Sequence, residues 1–242
     1  MSERIQKLIA KAGYGSRRWA ERLIEQGRIS INNQEAKLGD KAIIKDKVTI
    51  DGRVIDLGRY SEEETKVLML NKQAGVICSN KDEEGRQSVF EYLPENTRWV
   101  MVGRLDLNTS GLLLFTNNGD LANKLMHPSS EIDREYAVRV LGKVEEEHIK
   151  KLTNGIELED GFAKFHRVTL GGGEGANRWY HVVVREGRKR EVRRLWEELD
   201  FKVSRLIRTR FSDIRLPEKL RANQSEYLKP KQVQALLKSV NL

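Results

Sequence analysis

Cysteine is almost absent from this chain of 242 residues, and the few possible metal ligands are scattered along it. The single cysteine, Cys78, rules out an internal disulfide and a thiolate-rich zinc site. The four histidines form no closely spaced ligand pattern. The sequence therefore predicts a protein that holds no metal and works in a reducing compartment.

Long apolar runs are also missing. None approaches the roughly 20 residues that a transmembrane helix requires. The first residues lead into an amphipathic pattern and lack the apolar core of a signal peptide. There is no internal repeat and no low-complexity tract. We therefore expect a soluble, cytoplasmic protein that does not use a membrane.

Basic residues are in excess, with 44 Lys and Arg against 36 Asp and Glu, a net charge of +8. The excess is concentrated in two places. Residues 1–60 carry 13 basic and 8 acidic residues, and residues 185–210 carry 10 and 5. This distribution is typical of a protein with a polyanionic partner.

Residues 1–60 contain two short helical patterns followed by short strands and turns. The first pattern covers residues 4–12 and ends at Gly13, and Ser16 is a suitable N-cap for a second helix that ends at Gly27. Arg17 and Arg18 fall in the first turn of that helix, where the helix dipole disfavours cations. Phosphate contact is a reason to place them there.

This region resembles the alpha-L RNA-binding module of ribosomal protein S-four, although a helix-turn-helix DNA-binding protein has a similar pattern. The resemblance rests on Gly13, Ser16, Gly27 and four basic residues. It implies RNA contact through Lys11, Arg17, Arg18 and Arg28.

Residues 65–242 mix strand and helix patterns. They predict an α+β domain with an antiparallel or mixed sheet, joined to the first domain by a polar linker at residues 58–65. Within this part, Val203, Arg205 and Ile207 alternate with Ser204, Leu206 and Arg208, which predicts a strand with these two sets on opposite faces.

A lone carboxylate, Asp106, lies on a short connection between two apolar runs, in the segment Gly103-Arg104-Leu105-Asp106-Leu107-Asn108-Thr109-Ser110-Gly111. A rigid scaffold can present such a residue to a cleft. The alternative is a turn aspartate that bonds its own backbone.

The segment resembles the signature of the RsuA/RluA-type pseudouridine synthase family. The resemblance continues, in the order of that family, through residues 116–128, 134–138 and 186–195. It implies the long central sheet of the family with helices on its outer faces. It also implies isomerisation of uridine in RNA without a cofactor.

The resemblance implies that Asp106 is the catalytic residue, as a nucleophile at C1′ or a base at C2′. Tyr136 matches the active-site tyrosine; otherwise it is a core aromatic. Arg193 matches an arginine that pairs with the catalytic aspartate; otherwise it is a solvated residue on a helix.

Other residues have supporting roles in this prediction. Arg104 and Thr109 are expected to orient the Asp106 connection, and Leu195 to form a wall of the substrate pocket. The basic residues of the C-terminal part that are expected to contact RNA are Lys189, Arg190, Arg194 and Arg208.

The chain differs from many relatives at two places. It has Lys72-Gln73 where relatives usually have Lys-Pro, and Arg190-Glu191 where many have His-Gln. The second difference is typical of the ribosomal branch of the family.

The implied partner is a stem-loop of ribosomal RNA, because a target uridine leaves its stack most easily in an irregular region. The resemblance favours 23S rRNA near the peptidyl-transferase region. The alternatives are 16S rRNA as substrate, or a non-catalytic RNA-binding factor in ribosome assembly. We expect a monomer.

Overall fold

The computed structural model describes residues 2–59, 64–79, 82, 84–95, 97–173 and 175–242. The chain divides into two compact units, Met1–Glu64 and Thr65–Leu242. Residues 60–63 of the predicted linker lie outside the described residues. No helix in the described part of the chain is long and apolar enough to cross a membrane.

The N-terminal unit packs two helices against small sheets. Ile5, Leu8 and Ile9 of the first helix are buried, as its spacing predicts. Ser16 caps the second helix by accepting a hydrogen bond from the Trp19 N–H at 3.1 Å. The elements are β1 (Glu3–Arg4), α1 (Ile5–Lys11), α2 (Arg17–Glu25), β2 (Ile29–Ile31), β3 (Gln34–Glu35), β4 (Lys41–Ala42), β5 (Val48–Ile50) and β6 (Arg53–Ile55).

The C-terminal unit is built on a mixed sheet of nine strands, which confirms the predicted α+β class. The main path of the sheet runs β13-β14-β10-β15-β9-β7-β17, with β8 on β9 and β16 on β15. The strands of this unit are β7 (Val67–Lys72), β8 (Val100–Val102), β9 (Ser110–Thr116), β10 (Arg134–Leu141), β11 (Ile156–Leu158), β12 (Gly161–Ala163), β13 (Arg167–Gly172), β14 (Asn177–Val184), β15 (Lys202–Phe211), β16 (Ile214–Arg215) and β17 (Ser225–Tyr227).

Both faces of the central strands are buried. In β9, Leu113 and Phe115 face one apolar cluster, while Leu112 and Leu114 face another. This explains why β9 is a continuous apolar run, since a strand covered on both sides has no polar face. The covering helices are α3 (Gly119–Met126), α4 (Glu146–Asn154), α5 (Glu191–Glu197) and α6 (Pro230–Ser239).

The predicted faces of β15 are confirmed for residues 205–208 but wrong for Val203, because a β-bulge interrupts the alternation. Arg139 pairs with Arg205 while the next residue, Val140, pairs with Val203, so Ser204 is the extra residue. Val203 and Leu206 are consequently buried in the same cluster. The bulge also sets which side of the sheet the later residues of β15 face.

β9 and β15 run parallel where they meet, and Gly111 makes this contact possible. Gly111 has φ +103°, and a Cβ there would lie 2.3 Å from the Arg208 carbonyl oxygen. Only glycine tolerates both the conformation and the approach. The contact brings the start of β9, and the connection that carries Asp106, beside β15.

Candidate active site

A cleft of about 470 Å³ lies at the end of the central strands of the C-terminal unit. The connection between β8 and β9, residues 103–109, forms one side and is called the Asp106 loop below. The start of β10, the segment that leads into α5, and β15 form the rest. The lining includes Arg104, Asp106, Thr109, Arg134, Tyr136, Glu186, Arg188, Lys189, Arg190, Glu191, Val192, Leu206, Arg208 and Phe211.

Asp106 is half-buried in this cleft. Its carbonyl accepts a hydrogen bond from the Thr109 N–H at 3.0 Å, which closes a turn. A turn at Asp106 is what the alternative interpretation of this residue predicts, but Asp106 also lines the cleft. The loop therefore combines a local turn with a side chain that can reach a bound molecule.

The ammonium group of Lys72 holds the Asp106 loop from beneath. Its Nζ donates to the carbonyl oxygens of Thr109 at 2.8 Å, Asp106 at 3.3 Å and Leu107 at 3.4 Å. The side chain is fully buried, and burial lowers its pKa, while Cys78 and Asp106 act in the opposite direction. We infer that Lys72 positions the loop.

The sequence reasoning missed this role of Lys72. A lysine at the end of the apolar strand β7 was the available signal, because lysine is rarely buried without partners. The proline that relatives carry next is absent, yet Gly75 donates from its N–H to the Leu107 carbonyl at 2.8 Å. The segment after β7 is thus tied to the loop without proline.

Arg193 also holds the Asp106 loop, but not by the expected ion pair. Its Nη2 donates to the Asn108 carbonyl and its Nη1 to the Val203 carbonyl, each at 3.0 Å. Within the described part of the chain no ion pair joins Arg193 to Asp106, although Asp106 tends to raise the arginine pKa. Burial, the largest cause, and Arg190 lower that pKa. Arg193 thus acts on the backbone two residues after Asp106.

Tyr136 lies on β10 and is 8% exposed, with its ring in both the apolar core and the cleft lining. The sequence left two interpretations of this residue open, a core aromatic and an active-site residue. In the structure Tyr136 is part of the core and also lines the cleft. In the register of β10 with β15, Tyr136 lies opposite Arg208.

The residues predicted to support Asp106 lie in two different environments, the cleft and the core. Arg104 and Thr109 line the cleft, as residues of the Asp106 loop. Leu195 does not line it: this side chain is 0% exposed within the core. Val192, one helical turn earlier on α5, lines the cleft instead. The expectation for Leu195 was wrong because this residue lies one helical turn further along α5 than Val192, where the helix packs into the apolar cluster.

The basic residues of the C-terminal unit that are predicted to contact RNA also lie in different environments. Lys189 and Arg190 are exposed at the cleft. Arg194 instead forms a bidentate pair with Asp160, at 2.8 and 2.9 Å. Arg208 is only 2% exposed, so the prediction of a solvent-facing phosphate contact is wrong for it. Arg208 shares its face of β15 with Leu206, which lies in the apolar core, so this face is buried rather than open to solvent.

The four basic residues of the N-terminal unit that are predicted to contact RNA lie on its surface. Arg17 and Arg18 are exposed in the first turn of α2, which contains no acidic residue. Lys11 pairs with Glu3 at 2.9 Å, and Arg28 pairs with Asp51 at 2.6 Å. Pairs between exposed groups are weak, so an RNA phosphate can compete for these cations.

Glu191 is a cleft residue that the sequence reasoning did not select. It is 4% exposed, and burial, as the largest cause, raises its pKa to about 7. The nearby Glu186 raises it further, whereas Arg188 and Arg134 lower it. The signal available in the sequence was an acid within a basic segment.

No cluster of three potential metal ligands occurs among the residues that the structure describes.

Two family models match the chain. Residues 66–198 match the family described as RNA pseudouridylate synthase, and residues 3–42 match the S4 domain. The first match contains the Asp106 loop, Tyr136 and Arg193. The second contains α1, α2 and the strands β1 to β4, but not β5 and β6.

Curated proteins and a solved structure are similar over most of the chain. The chain is 51% identical over 224 residues to ribosomal large subunit pseudouridine synthase B of Yersinia pestis, covering 91% of this chain and 70% of that protein. It is 52% identical over 225 residues to the protein of the same name from Vibrio vulnificus, with the same coverage. A crystal structure of a pseudouridylate synthase aligns with a TM-score of 0.68 at 26% identity, over 96% of this chain and 99% of that one.

Adjacent arginines on α5 are predicted to differ sharply in importance. Arg193→Ala removes two donors to buried carbonyls and frees the Asp106 loop, so we expect a loss of about 100-fold in single-turnover rate. Arg194→Ala removes only a partly exposed pair with Asp160, and we expect less than about a threefold effect. Thermal unfolding of both variants separates loss of fold from loss of loop position. Comparable activity losses would refute the assigned role of Arg193.

Glu191 is predicted to make stability fall as the pH rises. Its folded pKa of about 7 lies above the ordinary 4.5, so the folded state holds the proton more tightly. The stability that this provides is full below pH 4.5 and is lost as the pH rises through about 7. Relative to wild type, Glu191→Gln should therefore gain about 2.5 kcal/mol in free energy of unfolding between pH 5 and pH 8. Urea titrations at both pH values measure this.

The control for that measurement is Glu198→Gln, an exposed glutamate at the C-terminal end of the same helix. Its free energy of unfolding relative to wild type should not change with pH. The same pH dependence in both variants would mean that Glu191 is not the responsible group.

Proposed function

Because the chain belongs to the RNA pseudouridylate synthase family, we propose that it isomerises a uridine of 23S ribosomal RNA to pseudouridine with Asp106 as catalytic residue. The supporting observation is the position of this carboxylate, on a loop held by Lys72 and Arg193 and facing a cleft that Tyr136 also lines.

The reaction needs few chemical groups. The bond from N1 of uracil to C1′ of the ribose breaks, the base turns, and a bond forms from C5 to C1′. The proton on C5 is lost and N1 gains one, so the atoms balance without an oxidant or a cofactor. Asp106 acts either as a nucleophile at C1′ or as a base at C2′.

The other residues prepare this chemistry. The ring of Tyr136 offers a face on which the flipped base can stack. Arg193 and Lys72 position the Asp106 loop through its carbonyl groups. The cleft volume of about 470 Å³ is within the range of pockets that hold small ligands, and is sufficient for one nucleotide. Arg104, Lys189 and Arg190 at the cleft provide charge for the neighbouring phosphates.

The proposed substrate is a stem-loop of 23S rRNA near the peptidyl-transferase region. The relatives from Yersinia pestis and Vibrio vulnificus are named for the large ribosomal subunit. A loop or bulge suits the reaction, because an unpaired uridine leaves the stack at low cost. We propose that the enzyme acts as a monomer in the cytoplasm.

The N-terminal unit is proposed to bind the same RNA. Its S4 domain match and its exposed arginines, Arg17 and Arg18, support this role. Contacts to phosphates carry no sequence information but fix the position of a protein on RNA. The unit would thus hold the stem-loop while the cleft selects the nucleotide.

Replacement of the carboxylate tests the catalytic role. Asp106→Asn is nearly isosteric, so we expect a folded protein that binds the RNA within a few-fold of wild type but releases no tritium from 5-tritiated uridine. The assay compares 23S and 16S transcripts. Asp200→Asn, an exposed turn residue with φ +60°, is the matched control and should remain active.

Three results would change the proposal. Turnover by Asp106→Asn at about a tenth of the wild-type rate or better would remove Asp106 from catalysis. Release from the 16S transcript alone would move the substrate to the small subunit. Binding without release from any transcript by the wild-type protein would favour an RNA-binding assembly factor.

Salt dependence tests the N-terminal unit. The double variant Arg17→Ala/Arg18→Ala should bind the stem-loop less tightly, and the slope of log affinity against log salt should become shallower by about 1 to 2. Filter-binding titrations measure the slope. Lys37→Ala/Lys45→Ala removes two exposed charges elsewhere in the unit and serves as control. Equal slopes for the two double variants would show that Arg17 and Arg18 make no particular contact.

A further inference from the structure

Three residues of the cleft have a buried polar atom with no hydrogen-bond partner among the described residues. These atoms are Nη2 of Arg208, Oε2 of Glu191 and Oγ1 of Thr109. Burial of a polar group without a partner is costly, and native proteins rarely tolerate it. Seven such atoms occur among the described residues, and three of them belong to residues of this one cleft, where a bound molecule can supply the missing partners.

The guanidinium group of Arg208 is fixed in place. Its Nε donates to the Leu112 carbonyl at 2.6 Å, and its Cζ lies 5.4 Å from the centre of the Phe211 ring. The residue is 2% exposed, and β15 places it opposite Tyr136. These contacts leave Nη2 as a donor without a hydrogen-bond partner in the part of the chain that the structure describes.

Glu191 supplies an acceptor in the same cleft. It is the first residue of α5, is 4% exposed, and follows Arg190, whose φ of +54° turns the chain into the helix. Burial lowers the pKa of Arg134, and Glu191, Arg208 and Tyr136 lie close enough to change that pKa electrostatically. The two unpartnered groups therefore surround one arginine, near the tyrosine that would stack the base.

The charge pattern of these groups matches uracil. The edge of uracil presents an acceptor, a donor and an acceptor at O2, N3–H and O4, so one donor and one acceptor fit two adjacent positions. Thr109 does not discriminate, because a hydroxyl both donates and accepts. Cytosine reverses the pattern at N3 and C4, which would set acceptor against acceptor at Glu191.

We propose, on the basis of the uridine isomerisation proposed above, that Arg208 and Glu191 read the base edge of the target nucleotide. Arg208 Nη2 donates to a carbonyl oxygen of the uracil ring, and the carboxyl group of Glu191 accepts from N3–H. Arg208 is then a specificity residue, in place of the phosphate contact that the sequence predicted. A site built to hydrogen-bond its substrate strongly rejects an analogue that lacks the matching group.

The test compares wild-type enzyme on two stem-loops that differ only at the target, uridine or N3-methyluridine, with conversion followed by nucleoside chromatography. We expect the methylated substrate to react roughly 100-fold more slowly, because it has lost the donor to Glu191. Glu191→Ala should react roughly 10- to 100-fold more slowly on uridine, and its penalty for the methyl group should shrink to a few-fold. Glu191→Gln retains an acceptor oxygen and should lose less on uridine.

Glu198→Ala is the control, since this glutamate is exposed and lies at the opposite, C-terminal end of the same helix. Its activity and its discrimination against the methyl group should equal those of wild type. A second arm uses 2-thiouridine and 4-thiouridine with the wild-type enzyme. Sulfur accepts hydrogen bonds poorly, so one of the two should react roughly 10-fold more slowly and identify the oxygen that Arg208 contacts.

The outcomes separate this proposal from the function on which it rests. Equal conversion of uridine and N3-methyluridine, or an undiminished methyl penalty in Glu191→Ala, overturns the assignment of Glu191 and leaves the enzyme function intact. Unchanged rates with both thiouridines overturn the assignment of Arg208. If wild-type enzyme converts no uridine in any ribosomal transcript, the proposed function fails and this proposal fails with it.

Discussion

The buried ammonium group of Lys72 is the contact on which the geometry of the cleft depends. It reaches three carbonyl oxygens of the Asp106 loop and also that of Gln73, so one cation fixes the loop and the end of β7 together. Arg193 and the N–H of Gly75 bond two further carbonyl oxygens of the same loop, those of Asn108 and Leu107. A full positive charge in the interior is stable only because these oxygens replace its water. The position of Asp106 is thus a consequence of how this charge is solvated.

The same arrangement recurs around the cleft. Arg134, Arg193 and Arg208 are each at least nine-tenths buried, and the contacts that fix them go to backbone carbonyls rather than to carboxylates. Carbonyl dipoles satisfy the donors but do not neutralise the charge. The cleft therefore keeps a positive potential facing outward, which suits a polyanionic substrate. Glu191, whose pKa is raised to about 7, is only about half ionised at neutral pH and so compensates only part of this charge.

Backbone irregularities place these side chains. The bulge at Ser204 puts Val203 on the same face of the sheet as Arg208, which lies opposite Tyr136, and Gly111 lets β9 approach β15 closely enough for Arg208 to reach the Leu112 carbonyl. Without the bulge, strict alternation would put Val203 on the face opposite to Leu206 and Arg208. Without glycine, a side chain would collide with the backbone of β15. The cleft thus depends on two local departures from regular strand structure.

The amino-acid sequence by itself determined the class of fold, most of the strands and helices, and the family motif around Asp106. These follow from apolar periodicity, turn residues and the order of short motifs, all of which are local in the chain. It did not determine that Arg193 bonds the carbonyl of Asn108, that Leu195 lies in the core, or that Lys72 holds the loop. Those facts join residues that are far apart in the chain. They were decided by the tertiary structure, because only packing establishes which carbonyls a buried cation can reach and which face of a bulged strand is covered.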